Sequence, residues 1–162
     1  MFAFRRLLTL TAAGLLTLLL AAPAAAAKPI ACVGAGWVAP DPATITTRTA
    51  DGVTFIKFEF FGEHSLCLAD GTEVSGTVAG KLWQRVGKNG SIKLRFYETL
   101  SVDGGTLNYR GNATLNGAGW TSQVRTVGVG TGALTGIHGR GTFSPVDPVT
   151  GAFTDEIFYV YR

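Results

Sequence analysis

"TEVSGTVAGKLWQRVGKNGSIKLRFYETLSVDGGTLNYRGNATLN" occupies residues 72–116 and reads as three strands joined by two tight turns. In the first strand Val74, Val78, Leu82 and Val86 hold even positions, while Glu73, Ser75, Thr77, Lys81 and Arg85 hold odd ones. A period of two sends alternate side chains to opposite faces, so the even face is the buried one. From Ser91 to Leu100 the even positions again carry the apolar residues Ile92, Leu94, Phe96 and Leu100. From Thr106 to Asn116 the pattern inverts, with Leu107, Tyr109, Ala113 and Leu115 inward and Asn108, Arg110, Asn112 and Thr114 outward. Three consecutive strands with one polar face predict a curled antiparallel meander.

The same punctuation extends beyond this stretch. Asp51-Gly52, Asp70-Gly71, Asn89-Gly90, Asp103-Gly104 and Asn116-Gly117 are each flanked by β-branched or aromatic residues. Asn or Asp before Gly supplies the positive φ angles of tight hairpin turns. Candidate strands fall near 30–38, 43–49, 53–61, 72–86, 91–100, 105–115, 120–127, 133–143 and 152–161. Eight or nine strands, with almost no apolar pattern of period 3.6, predict a single all-β domain closed as an eight-stranded antiparallel up-and-down barrel. Two strands are apolar on both sides: Val53–Phe61, with Phe55 and Phe61 opposite Ile56, Phe58 and Phe60, and Ala152–Tyr161, with Phe158 and Val160 opposite Ile157, Tyr159 and Tyr161. Such outer faces predict a cover: another subunit, the N-terminal segment or lipid, of which a homo-oligomeric contact, dimer or trimer, is the favoured one.

The first 27 residues predict an export signal. Arg5 and Arg6 precede an apolar run from Leu7 to Ala22, and small residues follow to Ala27. The run is short for a membrane span, and its alanine-rich exit suits cleavage after Ala27, leaving 28–162 as the secreted or periplasmic domain. Without the two signal arginines, twelve basic residues stand against eleven acidic ones. That net charge gives no reason to expect a nucleic acid or an anionic membrane as partner. Two cysteines, Cys32 and Cys67, in an exported chain predict one disulfide, against two unrelated buried thiols. Lipid attachment at Cys32 is disfavoured, because Pro29, Ile30 and Ala31 separate it from the apolar run.

"GTGALTGIHGRGTF", Gly130–Phe143, is rich in glycine. A dinucleotide-binding loop needs such glycines between a strand and a helix, and no helical pattern follows here, so no nucleotide is expected. In a strand, these glycines permit coiling and close backbone approach at a barrel corner. This stretch, the turn "PVTGAF" and the terminal "EIFYVYR" resemble the C-terminal signature of the allene oxide cyclase and dirigent group of β-barrels, over residues 128–162. The resemblance implies an eight-stranded barrel with an apolar lumen, often trimeric in the plant members, which guide ring closure or radical coupling of hydrophobic substrates. Their active-site residues are not carried over, because the upstream strands do not match.

The inward faces nevertheless offer candidates. Glu98 lies among Phe96 and Leu100, and a carboxyl buried in an apolar lumen suits proton transfer or the steering of a cationic intermediate, which makes it the candidate catalytic group. Gln84, Phe96, Tyr109 and Trp120 are the candidate ligand-binding residues. Trp37, Trp83 and Trp120 either line a pocket or pack. His64, expected in a loop with Glu63, and His138, on the face opposite Ile137, lack a third ligand at metal-binding spacing, so no metal or other cofactor is expected. No G-x-S-x-G elbow supports a serine nucleophile. The expected function is binding of a small hydrophobic molecule in the lumen, with cyclase or isomerase activity as its enzymatic form. The alternative is a non-catalytic structural or protein-interaction barrel filled by its own side chains. An outer-membrane barrel is disfavoured, because charged residues face outward and apolar ones inward.

Overall fold

The computed structural model describes residues 28–161. The export-signal reading falls on residues 1–27, outside the described residues. Nine strands follow in order: β1 (Ile30–Pro40), β2 (Thr46–Ala50), β3 (Val53–Cys67), β4 (Glu73–Val86), β5 (Ile92–Val102), β6 (Gly105–Asn116), β7 (Gly119–Val127), β8 (Ile137–Phe143) and β9 (Ala152–Tyr161). Neighbours pair antiparallel from β3 through β9, β9 pairs with β1, and β1 pairs with β3 to close the ring. Eight strands therefore form the barrel. The ninth, β2, continues the line of β1 along the first half of β3, after a five-residue break at 41–45. Two bonds bridge this break: the Asp41 amide donates to the Glu59 carbonyl, and the Glu59 amide donates to the Thr44 hydroxyl.

Turns form at or beside all five predicted dipeptides, the last shifted to Gly117-Ala118 with its positive φ at Gly119, and Asp51 and Gly52 at the β2–β3 hairpin have φ of 52° and 73°. The predicted strand over 133–143 is shorter than expected. Residues Gly132–Leu134 make a 3₁₀ turn, and β8 begins only at Ile137. Gly132 and Gly136, with φ of 55° and 78°, occupy the left-handed region, which breaks a strand rather than extending one. Leu134, carried by this turn, is completely buried.

The three meander strands bury the face that alternation predicted, even positions on β4 and β5 and odd positions on β6, except that Leu115 near the end of β6 is 38% exposed; β3 and β9, apolar on both sides in sequence, bury their even and odd positions respectively. The core gathers at one end of the barrel, where Leu66, Leu100, Leu107, Leu134, Ile137 and Ile157 are fully buried around Tyr109 and Tyr159. Complete burial of such side chains stabilises the fold by about 1.5–3 kcal/mol each. Cys32 and Cys67 are joined at this end, linking β1 to the end of β3 across 35 residues. Loop closure of that length stabilises by about 4 kcal/mol in the chain-entropy view. With its sulfur engaged, Cys32 has no thiol to offer for lipid attachment. At the opposite end, β3–β7 run on past the shorter β8, β9 and β1. There the inward residues Ile56, Phe58, Leu82, Gln84, Leu94 and Trp120 are only half-buried.

Large inward side chains sit beside glycines on neighbouring strands. Phe96 on β5 faces Gly111 on β6, and a Cβ at Gly111 would overlap the Phe96 ring. The ring thus lies across the neighbouring strand and not along its own, which fills a narrow barrel without spreading its staves.

Candidate functional site

The inward residues stack in layers between the two ends. On β3 the series is Phe60, Gly62, His64 and Leu66; on β5 it is Phe96, Glu98 and Leu100; on β9 it is Phe153, Asp155 and Ile157. His64, Glu98 and Asp155 occupy one level, below a phenylalanine layer and above the closed-end core. All three are buried, at 2%, 8% and 6% exposure. His64 was expected in a loop, but it lies inside β3 and points into the lumen. The even register of Ile56, Phe58 and Phe60 simply continues through Gly62, His64 and Leu66.

Backbone makes room for this cluster. His64 pairs across the sheet with Gly36 on β1 and Gly76 on β4, so no side chain flanks the imidazole on either neighbouring strand. Asp155 lies opposite Gly34, where a Cβ would collide with its carboxylate. The Gly34 amide instead donates to Asp155 Oδ1 at 3.1 Å. The His64 ring then bridges two carboxylates, with Nε2 2.7 Å from Asp155 Oδ2 and Nδ1 3.3 Å from Glu98 Oε1.

Burial alone disfavours the imidazolium. The hydrogen bonds to Asp155 and then Glu98, reinforced by their charges, outweigh it and push the His64 pKa from its ordinary 6.5 up to about 9. At neutral pH the ring therefore carries its proton on both nitrogens and donates to both carboxylates. His64 is an acid or a fixed cation here, and it does not offer a lone pair. Asp155, held by two donors, orients the ring, while Glu98 has the longer bond and the greater exposure of the pair. Glu98 was expected as a lone carboxyl among apolar neighbours, but it has a cationic partner.

Tyr109 and Tyr159 adjoin the cluster, their hydroxyls 2.7 Å apart. Burial holds both phenols well above their ordinary pKa, so both stay neutral. The Tyr109 ring lies 5.7 Å and the Phe153 ring 5.2 Å from His64, centre to centre.

The candidate ligand residues separate by level. Tyr109 belongs to the buried cluster. Phe96 joins a chain of edge-to-face contacts from Phe60 through Phe143 to Trp120, with centroid distances of 6.4, 5.3 and 5.7 Å. Trp120 also donates its indole N–H to the Phe143 carbonyl. Gln84 lies further out, half-buried at the open end. Trp37 and Trp83 point outward and are 39% and 38% exposed, so Trp120 alone of the three faces the lumen. His138 also points outward on β8. Among the described residues, no group of three or more His, Cys, Asp and Glu is arranged to hold a metal ion.

Sequence reasoning missed His64 and Asp155. Their polarity interrupts the apolar series, yet each sits in register with it, and the glycines at 34, 36 and 76 mark the space they fill.

No family model matches the chain, and no curated protein matches it in sequence. Among solved structures, it is similar to a protein of unknown function from the DUF3224 family of Shewanella oneidensis MR-1. The TM-score is 0.63 at 16% identity, over 83% of this chain and 98% of the other. At that identity the likeness shows a shared barrel fold.

Proposed function

We propose that the protein is an exported barrel that binds one small, largely apolar molecule at its open end, resting on the Phe96–Phe143–Phe153 layer. One observation carries this reading. The inward residues Ile56, Phe58, Leu82 and Leu94 form an apolar inner face that stays half-exposed, while inward residues further along the same strands, Leu66, Val78 and Leu100, are buried. Concave apolar surface with a few convergent polar groups is the usual form of a small-molecule site. Gln84 at the rim and Glu98 with His64 below the phenylalanines supply those polar groups. The apolar lumen implied by the resemblance to the allene oxide cyclase and dirigent group agrees with it.

In the enzymatic form of this reading, Phe60 or Phe96 swings aside. Glu98 then exchanges a proton with the ligand, or its charge steers a cationic intermediate, while protonated His64 holds the carboxylate in place. A second reading, a filled structural barrel, is favoured by the aromatic chain from Phe60 to Trp120, which spans the interior.

Native mass spectrometry of the protein purified from its exporting host, followed by denaturation and extraction, separates the two readings. The expected result is one reproducible apolar molecule per barrel. Glu98→Gln should then keep the fold and the bound molecule while abolishing any turnover; unchanged turnover would remove Glu98 from the chemistry. A clean apo mass at every protein concentration would favour the filled barrel.

A further inference from the structure

The near balance of charge over residues 28–162 conceals a strong segregation on the outer face. In the ladders from β5 to β9, Tyr97 pairs with Arg110, Arg110 with Arg125, Arg125 with Arg140, and Arg140 with Phe158. All five side chains point away from the lumen. Three arginines therefore stand side by side on three adjacent strands, about 4.8 Å apart at the backbone, with an aromatic ring at each end of the row. Like charges directly opposite one another in a sheet destabilise it, so folding gives no reason for this arrangement.

Among the described residues no carboxylate contacts the row. Among the described residues the ion pairs are those of His64 and the 3.0 Å pair of Lys81 with Glu59, so none of the three arginines has a carboxylate within 4.0 Å. The acidic Glu156 on β9 lies two residues from the row. A shallow groove of about 780 Å³ follows it, lined by Arg110, Arg125, Arg140, the polar Asn112, Gln123 and Thr142 and the ring of Phe158, with no acidic residue. At the other end, the Arg110 guanidinium stacks over Tyr97, 5.5 Å from the ring centre. A neighbouring groove continues the pattern with Arg85, Lys93 and Arg95 beside Trp83.

We propose that this row binds an acidic polysaccharide carrying one carboxylate per sugar, laid across β5–β9. Guanidinium forks match carboxylates geometrically, and three of them on adjacent strands lie within the span of a short acidic oligosaccharide. Phe158 offers a flat apolar face for a sugar ring, Tyr97 holds the Arg110 guanidinium in place, and Asn112, Gln123 and Thr142 offer partners for hydroxyls. A chain with an export-type N-terminus and a disulfide meets acidic glycans more readily than nucleic acid, which decides between two polyanions that the charge alone would accept.

The test is isothermal titration of the protein, expressed from its full sequence, with a hexameric oligogalacturonate at low and physiological salt. The fully methyl-esterified hexamer and an oligothymidylate of equal charge serve as comparisons. The expected result is binding of the free acid alone, weakening with salt. The triple variant R110Q/R125Q/R140Q should lose roughly tenfold or more in affinity. Its melting temperature should be unchanged or raised, because the like-charge row is relieved. Phe158→Ala should weaken binding and keep the salt dependence. No binding of the free acid, equal binding by the triple variant, or equal or tighter binding of the oligothymidylate would each overturn the proposal.

Discussion

The two ends of the barrel share strands and alternation but differ in cover. At the closed end the loop between β7 and β8 folds over the opening. Its Thr131 and Ala133 amides donate to the carbonyls of Thr106 and Gly104, and Leu134 drops into the core. The Cys32–Cys67 bond lies at the same end, and Tyr161 donates to the Cys67 carbonyl there. At the open end, the β8–β9 connection over residues 144–151 is exposed or half-exposed, and the inward aliphatics below it remain half-buried. Binary patterning thus specifies which face is inside. What specifies whether that inside is wet or dry is the length and content of single loops.

The largest expected break in this comparison is in the core. Leu100→Ala, at a fully buried site, should cost about 3–4 kcal/mol in urea unfolding. Leu94→Ala lies three inward steps away on the same strand, where its side chain is half-exposed, and should cost about 1 kcal/mol. Equal losses would mean that the open end is as well packed as the closed one.

A pH effect of similar size is expected from the layer between the ends. His64 has a pKa raised from 6.5 to about 9, so its contribution to stability is fully present below pH 6.5. It declines as pH rises through 9, as the native state gives up the proton that favoured it. The full loss is about 3 kcal/mol. A series of denaturation midpoints from pH 6 to 10 should therefore fall over that window, and the His64→Gln variant should show a flatter profile.

Much of the fold was legible in sequence. Turn dipeptides and alternation locate β4–β7 and the start of β3 closely and identify the inward faces of the meander, but β3 runs on past its expected end at Phe61 to Cys67. Glu98 and Tyr109 were legible as inward polar residues for the same reason. The 128–136 loop was not, because glycines that alternate with Ala133 and Thr135 mimic a strand until their positive φ angles are known. His64 and Asp155 failed differently. Each obeys the register of its strand, but the cluster joins β3, β5 and β9, none adjacent to another in the sheet, and no local pattern announces that meeting. The arginine row depends likewise on the pairing register of four ladders, which alternation alone does not set.

A charged imidazole lies between the covered half and the half-open one, held by two carboxylates. Following the ¹⁵N shifts of the His64 ring by NMR from pH 5 to 10 tests this directly. The expected result is an imidazolium that persists through neutrality and titrates near pH 9, with both ring nitrogens protonated below it. A midpoint at or below 6.5, or a single neutral tautomer at pH 7, would contradict it.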